Sequence, residues 1–286
     1  GPKMKINKNQ FELLSFIERE GGKKLPQRQI AEEIRFSLGA VNKTLSELLE
    51  LGLASMNDKR ELQITDSGLD ALEPYRVKRA VILAAGFGSR MVPLTLNTPK
   101  PLVRVHGKII IETLLDAIEQ AGITEIVLVR GYLWEQFDVL LHKYPTIKFL
   151  QNPMFNEANN ISSAYIAKDL LCNAYVCEAD LLVNNPKLIR KYEYATNYLG
   201  MFKEYTDDWC FKVRHGCIRE LLIGGINCYH MYGISYWNEK DGAQMAKDIE
   251  DAYKMPGGKE KYWDEVSMRV FQKHYNIEIR PCYEGD

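Results

Sequence analysis

Gly86, Gly88, Ser89 and Arg90, with Lys100 following, are the residues of this chain whose types and spacing best suit a polyanion. They lie in VILAAGFGSRMVPLTLNTPKPLVRV, Val81 to Val105. Glycine at 86 and 88 opens backbone angles closed to other residues, so successive N–H groups can point into one anion-binding concavity. Arg90 adds a planar fork of donors, and Lys100 a second fixed positive charge. Ala84 and Ala85, next to Leu83, let the main chain approach a ligand closely. The chemistry such a turn serves is the handling of a nucleoside triphosphate. Two familiar phosphate-binding patterns are excluded: no third glycine completes a dinucleotide fingerprint, and there is no GxxxxGK[ST].

A triphosphate needs a hard cation, and Asp180 is the best candidate ligand, because magnesium is commonly held by one or two carboxylates together with phosphate oxygens. Asp180 follows the apolar run Ala174-Tyr175-Val176-Cys177. Glu178 lies two residues earlier, on the same face if the strand alternates, and is the local competitor. Both sit within a pattern of alternating apolar strands and helices from Lys78 onward, which predicts an α/β domain with a largely parallel sheet. Ile110 to Ala121 and Leu133 to Tyr144 read as helices; Ile126 to Val129, Ile147 to Leu150 and Glu278 to Pro281 read as strands. Ligands in such sheets bind beyond the carboxyl ends of the strands. The turn at Gly86–Arg90, Gly131-Tyr132 and Asp180 should therefore converge on one crevice. Trp209, Trp237 and Trp263, with Tyr205, Tyr236 and Tyr262, crowd the later sequence. Ordinary core and an aromatic cage for a quaternary ammonium are both compatible with that composition.

The pattern LAAGxGxRxxPxTxxxPKxL resembles the signature of the nucleotidyltransferases that make nucleoside-diphosphate sugars and related activated alcohols. With GYLWEQF, NNISSAY, EAD, DDW, GISYW and YWDE, the chain is similar to the bacterial CTP:phosphocholine cytidylyltransferases over more than two thirds of its length. The resemblance implies a Rossmann-like domain with a mixed, mostly parallel sheet that transfers a cytidylyl group from CTP to phosphocholine, giving CDP-choline and pyrophosphate with Mg²⁺. It implies nucleotide contacts from Leu83, Ala84, Ala85, Gly86, Gly88, Ser89, Arg90, Gly131, Tyr132, Asn160 and Ser163. It assigns catalysis to Lys100, Arg90, Asp180 and Asp264, the metal to Asp180 and Asp264, and the choline pocket to Trp209, Trp237 and Trp263. Two positions depart from the family pattern: Leu181 replaces an Asn after Asp180, and Asn238 replaces an Asp after the SxW motif. Relatives continue beyond the position of Asp286, so further sequence is expected there. Phosphoethanolamine, an aminoalkylphosphonate or a sugar phosphate remain alternative acceptors, with Asp207, Asp208 and Glu265 as carboxylates for a primary amine. CTP and UTP differ by a donor–acceptor reversal that no residue identifies from sequence.

Composition fits a soluble, cytoplasmic protein of two domains. The 286 residues are 46% hydrophobic with a formal net charge of -1, which gives no bulk attraction for nucleic acid or anionic membrane. No apolar run has the length of a membrane-spanning helix. The six cysteines form no CxxC pair and read as buried small hydrophobes in a reducing compartment. Gly1-Pro2 reads as a protease remnant. Residues 4–75 form a first domain and residues 78–286 the second. In the first, Phe11, Leu13, Leu14, Phe16 and Ile17 stripe one helix, Gln27 to Ile34 form another after Pro26, and Leu38 to Leu49 a third capped by Ser37. A hairpin turning at Asn57-Asp58 and a closing helix over Ser67 to Leu72 follow. This order resembles a winged helix-turn-helix. DNA is a possible partner through Arg35, Asn42, Lys43, Ser46, Lys59 and Arg60, although Glu47 and Glu50 share the third helix and acidic residues nearly balance basic ones. Docking on the enzyme domain, a homodimer contact and ligand sensing are the other uses of such a domain, and a DNA-binding regulator whose larger domain senses a nucleotide or choline metabolite is the alternative of another class.

Overall fold

The computed structural model describes residues 4–86 and 97–286. The chain divides into two compact units, Gly1–Arg76 and Val77–Asp286.

The amino-terminal unit runs α1 (Lys8–Glu20), β1 (Lys23–Lys24), α2 (Gln27–Ile34), α3 (Leu38–Glu50), β2 (Ala54–Met56), β3 (Glu61–Ile64) and α4 (Asp66–Leu72). Side chains fix the starts of α1, α3 and α4, and α2 begins after Pro26. Asn7 caps α1 reciprocally with Gln10, Ser37 Oγ accepts from the Ala40 N–H at 3.1 Å, and Thr65 Oγ1 accepts from the Gly68 N–H at 3.0 Å. Asn57 Oδ1 accepts from the N–H groups of Lys59 and Glu61, which closes the β2–β3 turn. The sequence reading lacks the short strand β1, which completes a sheet of order β1-β3-β2, and a 3₁₀ turn over Glu73–Tyr75.

The second unit opens with β4 (Arg79–Ala84), a small ladder of β5 (Arg104–Val105) and β6 (Lys108–Ile109), α5 (Ile110–Gln120), β7 (Glu125–Arg130), β8 (Lys148–Gln151), α6 (Ile161–Ile166) and β9 (Ala174–Glu178). It ends with β10 (Asn197–Arg214), β11 (Cys217–Trp237), α7 (Glu239–Lys254) and β12 (Glu278–Cys282). The main sheet has the order β10-β12-β11-β9-β4-β7-β8. Strands β9, β4, β7 and β8 are mutually parallel, while β11 runs antiparallel to β9. Alternation divides the apolar residues: Ala80, Ile82 and Leu128 pack with α5, whereas Val81, Leu83, Val127 and Val129 pack with α6 and α7. Burial on both faces is why β4 reads as an unbroken apolar run.

Two elements differ from expectation. The segment expected as a helix from Leu133 to Tyr144 is a chain of 3₁₀ turns over Trp134–His142, entered through Leu133 in the left-handed region at φ 49°. Arg130 organises it, donating to the Trp134 carbonyl at 3.2 Å and pairing with Asp138 at 2.7 Å. The other is the long ribbon β10–β11, which breaks the strand–helix alternation and folds back on itself. Met201 and Cys210 both pair with His230, and Phe202 and Phe211 both pair with Tyr229. The fold falls near Asp207-Asp208 and opposite Gly224. Among the described residues no helix is long and apolar enough to cross a membrane.

Candidate active site

The carboxyl ends of β4, β7, β8 and β9 lie along one edge of the sheet, so Ala85-Gly86, Gly131-Tyr132, Asn152 and Ala179-Asp180 leave it together. Backbone bonds join these exits: Tyr132 N–H donates to the Ala85 carbonyl at 3.2 Å, and Asn152 N–H to the Arg130 carbonyl at 2.8 Å. Gly131 is required here, since a Cβ would lie 2.8 Å from Phe155, whose ring covers the turn. Gly86 is exposed with open space where a Cβ would stand. Leu83, Ala84 and Ala85 are buried beneath it. Gly88, Ser89 and Arg90 lie outside the described residues.

Lys100 stands at the start of a short 3₁₀ turn and pairs with Asp180, Nζ to Oδ2 at 2.9 Å. A bond from Gln136 Nε2 to the Asn97 carbonyl, 2.7 Å, ties the approach to Lys100 to the segment after β7. Asp264 reaches the same region by another route. Asn159 N–H donates to the Lys259 carbonyl at 2.8 Å, and Asn160 Oδ1 accepts from the Trp263 N–H at 2.7 Å, which fixes the chain just before Asp264. Asp264 is buried and accepts from the Tyr198 hydroxyl at 2.8 Å. Burial pushes its carboxyl up to about 6, against the hydrogen bond from Tyr198. Glu178 is pushed up to about 8 by burial first, then by the charges of Asp264, Asp180 and Asp208, with Lys100 opposing. Its carboxylate also packs on Gly233, whose φ of +95° and lack of a Cβ make the space. Crowded carboxylates with one lysine form a hard, cation-attracting donor set. Among the described residues, no three His, Cys, Asp or Glu side chains are grouped to hold a metal ion by themselves.

A pH prediction follows from Glu178. Its folded value lies above the ordinary one, so the folded chain keeps a proton that the unfolded chain has released. This carboxyl therefore costs stability increasingly as pH rises from about 4.5 towards about 8. Without divalent cations, Glu178→Gln is expected to match the wild-type melting temperature at pH 5. At pH 8.5 it should exceed it by at least about 4 °C, because one kcal/mol moves the melting temperature of a domain of this size by about 2–4 °C and a carboxyl held up to about 8 costs several times that. Equal differences at the two pH values would rule out the desolvated carboxyl as the cause.

The three tryptophans have separate environments. Trp237 is 0% exposed, edge-on to Tyr198, Trp263 and Tyr275, with its Nε1–H donating to Ser235 Oγ at 3.0 Å. Trp263, 2% exposed, stacks on Tyr198. Only Trp209 keeps an open surface; it meets the edge of Tyr262, and the Arg269 guanidinium lies 5.1 Å from its ring centre. Both departures from the family pattern have local roles. Leu181 packs on the core, and Asn238 caps α7 by accepting from the Asp241 N–H at 2.8 Å. Ser163 is buried and accepts from Asn152 Nδ2 at 2.9 Å. Asn152, Phe155, Tyr198 and Gly233 were not among the residues expected at the site. Asn152-Pro153 reads in sequence only as a strand stop, and Tyr198 as one aromatic among many.

Gly86 after the first parallel strand and a lysine–aspartate pair at the same strand ends form an arrangement with known relatives. The nucleotidyl transferase family model matches residues 79–204. The 2-aminoethylphosphonate cytidylyltransferase of Lancefieldella rimae is 40% identical over 191 residues, 65% of this chain and 78% of that protein. The chain belongs to the nucleotidyl transferase family. Choline-phosphate cytidylyltransferase of Streptococcus pneumoniae is 32% identical over 191 residues, 66% of this chain and 82% of that one. The solved CTP:phosphocholine cytidylyltransferase from Streptococcus pneumoniae superposes with a TM-score of 0.67 at 30% identity, covering 72% of this chain and 90% of that one. This nucleotidyltransferase therefore shares the α/β fold with a mostly parallel mixed sheet expected from its sequence.

Proposed function

We propose that this nucleotidyltransferase moves a cytidylyl group from CTP to a small phosphate or phosphonate that carries a cationic ammonium, as phosphocholine and 2-aminoethylphosphonate do. The observation that carries the reading is the Lys100–Asp180 pair at the strand ends where the glycine turn and Gly131-Tyr132 also emerge. The named activities of the relatives supply the nucleotide and the acceptor class. An acceptor oxygen attacks the α-phosphorus in line, the P–O bond to the bridging oxygen breaks, and pyrophosphate departs with the electron pair. A phosphate or phosphonate oxygen is already anionic near neutral pH, so the chain's task is alignment and charge stabilisation rather than proton removal. Gly86, Gly88, Ser89 and Arg90 would cradle the triphosphate, and Lys100, released from Asp180, would face the charge developing at the α-phosphorus. Asp180 and Asp264 would hold Mg²⁺, which supplies charge neutralisation on the phosphate oxygens.

The acceptor's ammonium would meet the exposed part of Trp209 left by Arg269 and the carboxylates around Glu178 and Asp208. A primary ammonium has donors for those carboxylates, whereas a quaternary one has none. The more similar relative, named for 2-aminoethylphosphonate, and the burial of Trp237 and Trp263 both favour the primary amine. Incubation with Mg²⁺, each nucleoside triphosphate, and phosphocholine, phosphoethanolamine, 2-aminoethylphosphonate or glucose-1-phosphate should release pyrophosphate only with CTP and an ammonium-bearing acceptor. Trp209→Ala should raise the KM for that acceptor at least fivefold more than the KM for CTP. Release with glucose-1-phosphate alone would sink the acceptor reading, and equal KM effects would make Trp209 a packing residue.

We read the amino-terminal unit as a winged helix, on its helix-strand-helix-helix-hairpin order with Asn42, Lys43 and Ser46 exposed on α3. Its nearly balanced charge favours docking of a ligand or protein over DNA. A salt-sensitive gel shift of the whole chain would reverse that order.

A further inference from the structure

Phe202 to Thr206 is an open strand edge. On one side β10 pairs regularly with β11, from Gly200 opposite Met231 to Thr206 opposite Gly225. On the other side β12 reaches Met201 as its last partner, and among the described residues no strand borders Phe202 to Thr206 there. The edge is apolar as well as open. Tyr205 and Ile226, directly opposite each other, are 71% and 72% exposed, Ile223 at the fold is 64% exposed, and Phe202, edge-on to Tyr229, is 52% exposed. Proteins shield such edges with proline, bulges or inward-pointing charges. This stretch has no proline, and its pairing with β11 stays in register until after Thr206. The four side chains leave roughly 500 Å² of mostly apolar surface in water, the size of patch that marks an interaction site.

We propose that this edge is the contact between two copies of the chain, joined as antiparallel strands about a two-fold axis at Tyr205. Two identical strands related by such an axis pair antiparallel, so the edge is its own complement. Charge selects the register. Residues opposite each other in an antiparallel pair point to the same side of the sheet, so the axis falls on a residue and not between two. An axis at Lys203 or Glu204 would set that charge against its own copy, and one at Thr206 would set Glu204 against Asp208. An axis at Phe202 would run into β12, which already occupies the edge as far as Met201. With the axis at Tyr205, Lys203 of each copy faces Asp207 of the other, which gives two ion pairs around a central pair of tyrosines, with Ile226 beside each ring. Both charges are available: Asp207 is exposed, and Lys203 has a loose partner in the exposed Glu284 at 3.5 Å. Two patches together amount to roughly 1,000 Å², the lower end for a specific interface, so the dimer is a reversible one.

Sedimentation equilibrium of the whole chain over a range of concentrations tests this without reference to the reaction catalysed. Wild type is expected to pass reversibly from monomer to dimer with no larger species, because a two-fold contact closes on itself. Ile226→Asp, at an exposed position, should weaken association about 100-fold by setting an unpaired charge in the apolar centre of the contact. Lys203→Glu should weaken it about tenfold, since symmetry repeats the new repulsion from Asp207. Adding Asp207→Lys to Lys203→Glu should restore the wild-type association, a recovery that a merely structural role for either residue would not produce. A wild type that stays monomeric at every concentration overturns the proposal and leaves the patch to a different partner. Open-ended association overturns it too, as does a folded Ile226→Asp that dimerises like wild type, which would locate the contact on another surface. If Ile226→Asp does not fold, the charge pair decides: Lys203→Glu without weakening, or weakening that Asp207→Lys does not repair, overturns it equally.

Discussion

Lys100→Ala is expected to reduce kcat by roughly 100- to 1,000-fold, the range seen when one preorganised charge partner of a transition state is removed. Lys100 is held within 2.9 Å of Asp180, so its ammonium is already placed at the strand ends before any nucleotide arrives. The bond broken at the α-phosphorus sends negative charge to pyrophosphate, and a fixed cation in a partly desolvated cleft stabilises that charge more than water does. Removal of Lys100 also leaves Asp180 facing Glu178 without a compensating cation. Affinity for the nucleotide should therefore fall as well, but by less than turnover. Single-turnover rates at saturating nucleotide give the test. A kcat within threefold of wild type would remove Lys100 from the chemical step.

Glu193→Ala is expected to destabilise the second unit by about 3–5 kcal/mol, the cost of leaving a buried charge unpaired. Glu193 is 3% exposed and accepts from the Tyr175 hydroxyl at 2.8 Å and from Asn197 Nδ2. The Arg280 guanidinium lies 3.5 Å away and also donates to the Leu188 carbonyl at 2.6 Å. Tyr175, Asn197 and Arg280 belong to β9, β10 and β12, so one carboxylate in the loop after β9 fastens β10 and β12 to β9 across the intervening β11. Tyr175→Phe, which removes a single hydroxyl, should cost about 1 kcal/mol. Urea unfolding of both variants checks the pair. A Glu193→Ala loss under 1 kcal/mol would mean that water or rearrangement satisfies Arg280.

Sequence and structure agree where one physical rule dominates. Strands β4, β7 and β9 are buried on both faces, and continuous apolar runs announce that directly. Three helices of the first unit, α1, α3 and α4, carry their own caps in Asn7, Ser37 and Thr65, so their starts are local properties. The convergence of Ala85-Gly86, Gly131 and Asp180 follows from parallel topology. The β10–β11 ribbon was not legible, because its residues alternate neither in burial nor in polarity. Phe202, Tyr205, Ile223 and Ile226 are exposed, and left-handed positions at Gly224 and Asn227 bend a strand that the sequence marks with no proline. The environments of the tryptophans were equally hidden. Whether an indole such as Trp237 faces a pocket or the core depends on Tyr198 and Tyr275, which lie far from it in sequence. Asn152 escaped for a similar reason, since its meaning lies in which serine hydroxyls it touches.

The folded-back ribbon gives the molecule a division of labour. Gly86, Gly131 and Asp180, proposed above to meet the nucleotide and its metal, follow β4, β7 and β9, while Asp208 and Trp209 ride on an arm whose backbone bonds are satisfied largely within itself. On the proposed reading, substitutions along Tyr205 to Trp209 would reshape the acceptor pocket and leave the strand ends at Gly86, Gly131 and Asp180 as they are. Relatives named for choline phosphate and for 2-aminoethylphosphonate, similar over most of their length, are what such independence would yield in evolution. On that reading the ribbon would be the natural target for retuning which phosphate or phosphonate becomes activated, with the transfer chemistry kept intact.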